Sequence, residues 1–197
     1  MTDAPPLPTR ERQRQDTRNL ILEVALAEVA ERGLGRARIE HIARKAGVTR
    51  PTIYAHFPRK EDFLRELQGR TEERALAALR QRLDHGGGSG LLHRLTNAIF
   101  DLVENTQPVL RREVFAFMIR EPQGTEWVGK ALFQFLTERF EAARERGEIS
   151  AALPAIDFTR IVMTALFGFL VVESAPSEER RRSAHRMLDL LSRGAAV

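Results

Sequence analysis

Apolar residues return along this chain at helical spacing, and no segment shows the strict alternation of a half-buried strand. Leu22, Ala25, Leu26 and Val29 stand at i, i+3, i+4 and i+7, with Glu23, Glu31 and Arg32 off that stripe and Gly33 as a stop; a first helix is expected over residues 17–32. Ile39, Ile42, Ala43 and Ala46 repeat the spacing for two turns before Gly47 interrupts it. Thr49 then offers its hydroxyl as the cap of a third helix, Pro51 falls in the first turn where a missing N–H costs nothing, and Pro58 ends the segment after Ile53 and Phe57 have shared one face. A fourth helix is predicted over residues 61–84, with Phe63, Leu64, Leu67, Leu76, Leu79 and Leu83 inward and Glu61 and Asp62 at its positive end.

The run Gly86-Gly87-Gly88-Ser89-Gly90 is too rich in glycine for a regular element and reads as a flexible connection; no Lys-Ser or Lys-Thr follows it, so it is not a phosphate loop. Five further helices are expected over residues 91–106, 108–120, 125–146, 155–174 and 177–193, separated by Pro, Gly and short polar turns. The chain is therefore expected to be all-α with about nine helices: a disordered arm over residues 1–15, a compact helical part over 16–62 and a helical remainder over 63–197.

Composition narrows the possibilities. A chain of 197 residues can bury a core without staples, and with no cysteine there is neither a disulfide nor a thiolate metal site nor a cysteine nucleophile. The longest uncharged stretch in the apolar C-terminal part, Ile161 to Val172, has 12 residues, short of the roughly 20 that a bilayer span needs, and Met1 to Gln15 lacks the apolar core of a secretory signal. No membrane partner and a cytoplasmic location are the expectation. Net charge is only +4, but residues 32–60 carry eight cations against Glu40, a local +7 that leaves −3 elsewhere. Such a block suits an anionic polymer held at one end of the molecule, although a charged cluster by itself is equally what a solvated face looks like.

The two short helices around Gly47 have the dimensions of a helix-turn-helix. If Ala43, Val48, Ile53 and Phe57 pack inward, Arg50, Pro51, Thr52, Tyr54, Ala55 and His56 lie on the outward face of the second. Arg50 can fork onto guanine or a phosphate, Thr52 can meet a thymine methyl or an oxygen, Tyr54 offers a hydroxyl, and Lys60 with nearby backbone N–H groups can clamp a phosphate. Catalysis finds no comparable support. His41, His56, His85, His93 and His185 include no i, i+4 pair or HExxH context for zinc, Glu121, Glu126 and Glu173 form no evident acid and base pair, and neither metal nor cofactor is expected.

Taken together, residues 17–67 resemble the TetR family of bacterial transcriptional repressors. Ile21 to Leu26 followed by Ala30-Glu31-Arg32-Gly33 is similar to the family's first helix, Ile42-Ala43 with Ala46 through Phe57 to its helix-turn-helix, and Lys60-Glu61-Asp62-Phe63-Leu64 to the opening of its fourth helix. The resemblance implies that Arg50, Thr52, Tyr54, His56 and Lys60 face DNA, with Tyr54 and Lys60 on phosphates, and Thr49 and Pro51 belong to the same surface. At Ala37 and Arg38 the chain departs from the family's usual Thr and Ser or Thr; the hydroxyl cap and a phosphate-contacting hydroxyl are lost, and Arg38 is expected to replace that phosphate contact with a charge.

Beyond residue 67 the likeness is one of architecture. It implies a repressor that binds a palindromic operator as a homodimer and is released by a small-molecule effector, with the effector among helices 4 to 7 and helices 8 and 9 paired against a second subunit. Phe100, Phe115, Met118, Trp127 and Phe133, with His93 and Asn97 as a polar pair one turn apart, are the expected effector site for a hydrophobic or aromatic ligand. Phe158, Ile161, Val162, Ala165, Phe169, Met187, Leu188 and Leu191 are the expected dimer surface, the alternative being a core internal to one chain. A filled core without a cavity would instead point to an architectural DNA-binding protein with no effector.

Overall fold

The computed structural model describes residues 9–83, 90–120, 130–149, 152–171 and 176–194. Among these the only regular elements are nine helices: α1 (Thr9–Arg32), α2 (Ile39–Ala46), α3 (Arg50–His56), α4 (Glu61–Leu83), α5 (Leu91–Glu104), α6 (Pro108–Arg120), α7 (Ala131–Glu145), α8 (Ala155–Val171) and α9 (Ser177–Gly194). None of the described helices is long and apolar enough to cross a membrane.

Two boundaries differ instructively from expectation. The first helix begins at Thr9 rather than residue 17, taking in half of the stretch expected to be disordered. Residues 10–15 are Arg, Glu and Gln, which lose little side-chain freedom in a helix, and turn-to-turn bonds tie them in: Thr17 Oγ1 donates to the Gln13 carbonyl at 2.9 Å and Gln15 Nε2 to Asn19 Oδ1 at 3.1 Å. Residues 1–8, where the prolines of that arm lie, are outside the described residues. The seventh helix begins at Ala131 rather than 125, because Lys130 stands extended as its N-cap at φ −87° and ψ 143°.

The chain divides into two compact units, Met1–Leu67 with Gln107–Val114, and Gln68–Thr106 with Phe115–Val197. In the first, Ile21, Leu22, Ala25, Ile42, Ile53, Phe57 and Phe63 form a shared core where α1 meets α2 and α2 meets α3. Gly47 closes α2 at φ +64°, a left-handed conformation that a side chain rarely tolerates, and the Val48 N–H then reaches the Ala43 carbonyl at 3.0 Å. Gly33 is held to glycine by its φ of +76°, and Glu113 Oε1, which approaches it closely, accepts from the Leu34 N–H at 3.0 Å. That contact brings the opening of α6 into the first unit.

Glu28 is 0% exposed inside this unit. Arg32 Nε at 3.1 Å, His41 Nδ1 at 3.4 Å and Lys45 Nζ at 3.7 Å surround its carboxylate in charge contact, without an aligned hydrogen bond. Uncompensated burial of a carboxylate is prohibitive, so this cluster is what permits Glu28 to tie α1 to α2.

The second unit is built on Leu79, Leu95, Phe100, Leu136, Phe140, Phe158, Val162, Leu166 and Leu188. Contacts of α7 with α8, α5 with α9 and α8 with α9 close it, and Phe140 meets Phe158 edge-on at 5.1 Å. Of the residues expected inward on α4, Phe63 and Leu64 are buried and Leu67 half-buried in the first unit, and Leu79 is buried and Leu76 half-buried in the second; the side chain of Leu83 and the glycines at 86–88 are outside the described residues.

Candidate functional site

The third helix presents its polar face as a set. Thr49 caps it, accepting from the Thr52 N–H at 3.3 Å, and the two threonine hydroxyls lie 2.8 Å apart. Pro51 stands in the first turn, while Arg50 and Tyr54 project outward, Tyr54 with 43% of its surface exposed. Arg50 meets Glu40 of α2 at 3.0 Å, both side chains more than half exposed. An exposed pair of that kind is worth at most about 1 kcal/mol, so Arg50 exchanges Glu40 for a phosphate or base at little cost.

Beside this face lies a depression of about 470 Å³ where Arg38, Tyr54 and Lys60 converge with Arg32 and Arg36. Lys60 Nζ donates to the Ala37 carbonyl at 2.6 Å, which fixes the turn before α2 and holds the ammonium at the rim. Arg38 is the N-cap of α2 and makes no side-chain cap bond, so the hydroxyl cap missing from the sequence is not replaced within the chain. Arg32 and Arg36 were part of the basic block but not of the expected contact set; only the folding of the 33–38 turn brings them to the same rim as Lys60.

His56 is half-buried at the end of α3, with the Arg18 guanidinium donating to its carbonyl and lying 4.2 Å over the Phe57 ring. Burial first, then the charges of Arg14 and Arg18, lower its pKa below 6.5. A histidine with a lowered folded pKa contributes stability that is complete above the unfolded value and is lost as pH falls through the folded one. His56 is therefore neutral at pH 7, and in a ring-nitrogen NMR titration its midpoint is expected below 6.5 and to rise in Arg18→Ala. A midpoint at or above the ordinary value contradicts this account.

In the second unit the expected effector residues separate. His93 Nε2 pairs with Asp189 Oδ1 at 2.8 Å and its ring stacks on His185 at 4.3 Å, while Asn97 Oδ1 lies 3.1 Å from His185 Nε2 and 3.4 Å from Arg181. Both belong to a polar seam between α5 and α9. Phe100 is fully buried in the core, Phe115 packs edge-on against Phe167 at 5.5 Å, and Trp127 is outside the described residues, as are His85, Glu121, Glu126 and Glu173. Met118 and Phe133 do line a cavity of about 120 Å³, together with Ile99, Leu132, Met163, Leu166, Phe167 and Leu170. One wall carries charge, where Lys130 Nζ donates to Glu72 Oε1 at 2.6 Å. A larger depression of about 720 Å³ between α7 and the start of α8 is a solvent-facing trough rimmed by Glu138, Glu141 and Glu145.

The expected dimer residues also divide. Phe158, Val162 and Leu188 are buried in the chain's own core and have no surface to offer. Ile161 is 39% exposed, and Ala165, Phe169, Met187 and Leu191 are half-buried. Leu190, also expected with Met187, Leu188 and Leu191 on the facing helix, is 70% exposed on α9.

The profile of the family described as "Bacterial regulatory proteins, tetR family" matches residues 21–67, the span of α1 to the start of α4. The HTH-type transcriptional regulator UidR of Escherichia coli (strain K12) is 26% identical over 174 residues, covering 86% of this chain and 87% of its own. The HTH-type transcriptional repressor BepR of Brucella suis biovar 1 (strain 1330) is 31% identical over 175 residues, 79% of each chain. Among solved structures, Salmonella enterica GusR superposes with a TM-score of 0.70 at 26% identity, covering 90% of this chain and 96% of its own. The likeness thus runs through both units and is not confined to the helix-turn-helix; the chain belongs to the TetR family and is a DNA-binding transcriptional regulator.

Proposed function

We propose that the protein is a repressor that binds a palindromic operator as a homodimer and leaves it when a small molecule occupies the second unit. The observation that carries the DNA half is the convergence of Arg38, Tyr54 and Lys60 with Arg32 and Arg36 beside the outward face of α3. A short, mostly uncharged helix flanked by cations is what entry into a major groove requires: the cations and Tyr54 hold phosphates, and Arg50, Thr52 and His56 are left to read base edges. Repression is favoured by the likeness to BepR, whose name records that role. The effector half is supported by the cavity bounded by Met118 and Phe133, which a filled architectural core would lack.

Lys60→Ala is expected to weaken binding to specific and scrambled duplexes alike and to reduce the salt slope by about one unit. Arg50→Ala is expected to cost about 1 to 3 kcal/mol and to relax sequence preference at one position. Fluorescence anisotropy at several salt concentrations measures both. If Lys60 serves only to tie the Ala37 carbonyl, affinity falls but the slope stays, and Lys60 leaves the set of phosphate contacts.

A further inference from the structure

We propose that the cavity of the second unit takes a small carboxylate with a ring-sized apolar body, and that the ligand's carboxylate replaces Glu72 on Lys130. The inference rests on the effector reading above and gives it a chemistry.

Three features of the cavity converge on an anion with a compact body. Lys130 is the N-cap of α7, its side chain makes no cap bond, and Leu132 and Phe133, in the first turn of the same helix, line the same space. The ammonium and the positive end of a 15-residue helix thus meet at one wall, where a carboxylate is attracted and a cation repelled. Glu72 demonstrates the fit from within the chain, its Oε1 accepting from Lys130 Nζ at 2.6 Å. The rest of the lining, including Met118, Phe133, Met163 and Phe167, is apolar, and two thioethers give it a surface that adapts to the occupant. The volume is about 120 Å³. An apolar cavity of about 150 Å³ admits benzene, so the body is a single ring or an aliphatic of similar bulk.

The exchange is balanced on the side of Glu72. Gln68 Nε2, one turn back on α4, donates to the same Oε1 at 3.0 Å, so Glu72 keeps a partner on its own helix when Lys130 turns to the ligand. What is broken is the bond between α4 and the start of α7. The ligand's charge, more than its bulk, then supplies the differential affinity that any switch requires.

The test uses the full-length protein and three probes that share one ring and differ in charge: benzoate, benzamide and benzamidine, titrated calorimetrically. Benzoate is expected to bind at least about tenfold more tightly than either of the others. Lys130→Met is expected to weaken benzoate by about tenfold or more, while Glu72→Gln, which frees the ammonium, strengthens it, with far-ultraviolet dichroism unchanged in both. A preference for benzamidine, no binding by any of the three, or benzoate affinity indifferent to Lys130→Met overturns the proposal. A second arm follows anisotropy of a duplex selected by the protein from random sequence. Release by benzoate in the parent but not in Lys130→Met supports site and switch together; Lys130-dependent binding without release keeps the carboxylate site and overturns the effector reading.

Discussion

Ile161→Glu combined with Leu190→Glu is expected to leave a folded chain that sediments as a monomer and binds its operator on the order of 100-fold more weakly than the parent. Both side chains are exposed in the single chain, one on α8 and one on α9, so replacing them disturbs far less internal packing than replacing a buried residue would. Along α8, Ile161, Ala165 and Gly168 stand at i, i+4 and i+7, and a Cβ added to Gly168 would meet nothing within 4 Å. A partner helix can therefore approach closely there, and two glutamates would place unpaired charge in its path. The loss in DNA affinity follows from avidity: in the proposed dimer two recognition helices about 34 to 36 Å apart would engage two half-sites at once, and a monomer engages one. Leu188→Glu is the contrasting variant, since Leu188 is fully buried and its replacement is expected to unfold the unit instead of dissociating it. Sedimentation of the parent as a monomer at concentrations where it still binds tightly would defeat the dimer proposal.

Phe57→Ala is expected to cost about 3 to 5 kcal/mol in the stability of the first unit and to abolish operator binding under conditions where the parent is saturated. Phe57 is 1% exposed, packs against Phe63 at 5.0 Å and lies under the Arg18 guanidinium, and its N–H closes α3 onto the Ile53 carbonyl at 2.8 Å. Deleting the ring opens a cavity where α3 is fastened to the rest of the unit. Tyr54→Phe, three residues earlier and exposed, is the control, expected to change stability by less than about 0.5 kcal/mol while removing a hydroxyl from the DNA face. Amide exchange across α1 to α3 reads the difference; equal protection in Phe57→Ala and the parent is incompatible with this packing.

The local grammar of the first unit was open to reading from residues alone. Gly47, Thr49 and Pro51 each act on their own backbone or on a neighbour within four residues, so the glycine turn, the cap and the start of α3 stand where spacing puts them. Helical periodicity is equally local, and the nine helices among the described residues follow from it with ends shifted where charged helix formers extend α1 back to Thr9 or where Lys130 delays α7. Charge counting succeeded only in part. The basic block over residues 32–60 looks stronger than it is, because Glu28 lies four residues outside the window and engages Arg32, His41 and Lys45 from within the core.

What tertiary structure alone decided is which of several equally apolar or polar faces turns inward. Phe158, Val162 and Leu188 were indistinguishable by type from Ile161 and Leu190, yet the first three complete a core with α5 and α7 and the last two remain at the surface. His93 and Asn97 find Asp189, His185 and Arg181 on α9, roughly a hundred residues away. The Lys130 and Glu72 pair across the cavity wall is of the same kind. Helix formation depends on neighbours within one or two turns, which a linear pattern records; partner choice depends on the packing of segments far apart in the chain, which the pattern constrains only to being apolar or charged.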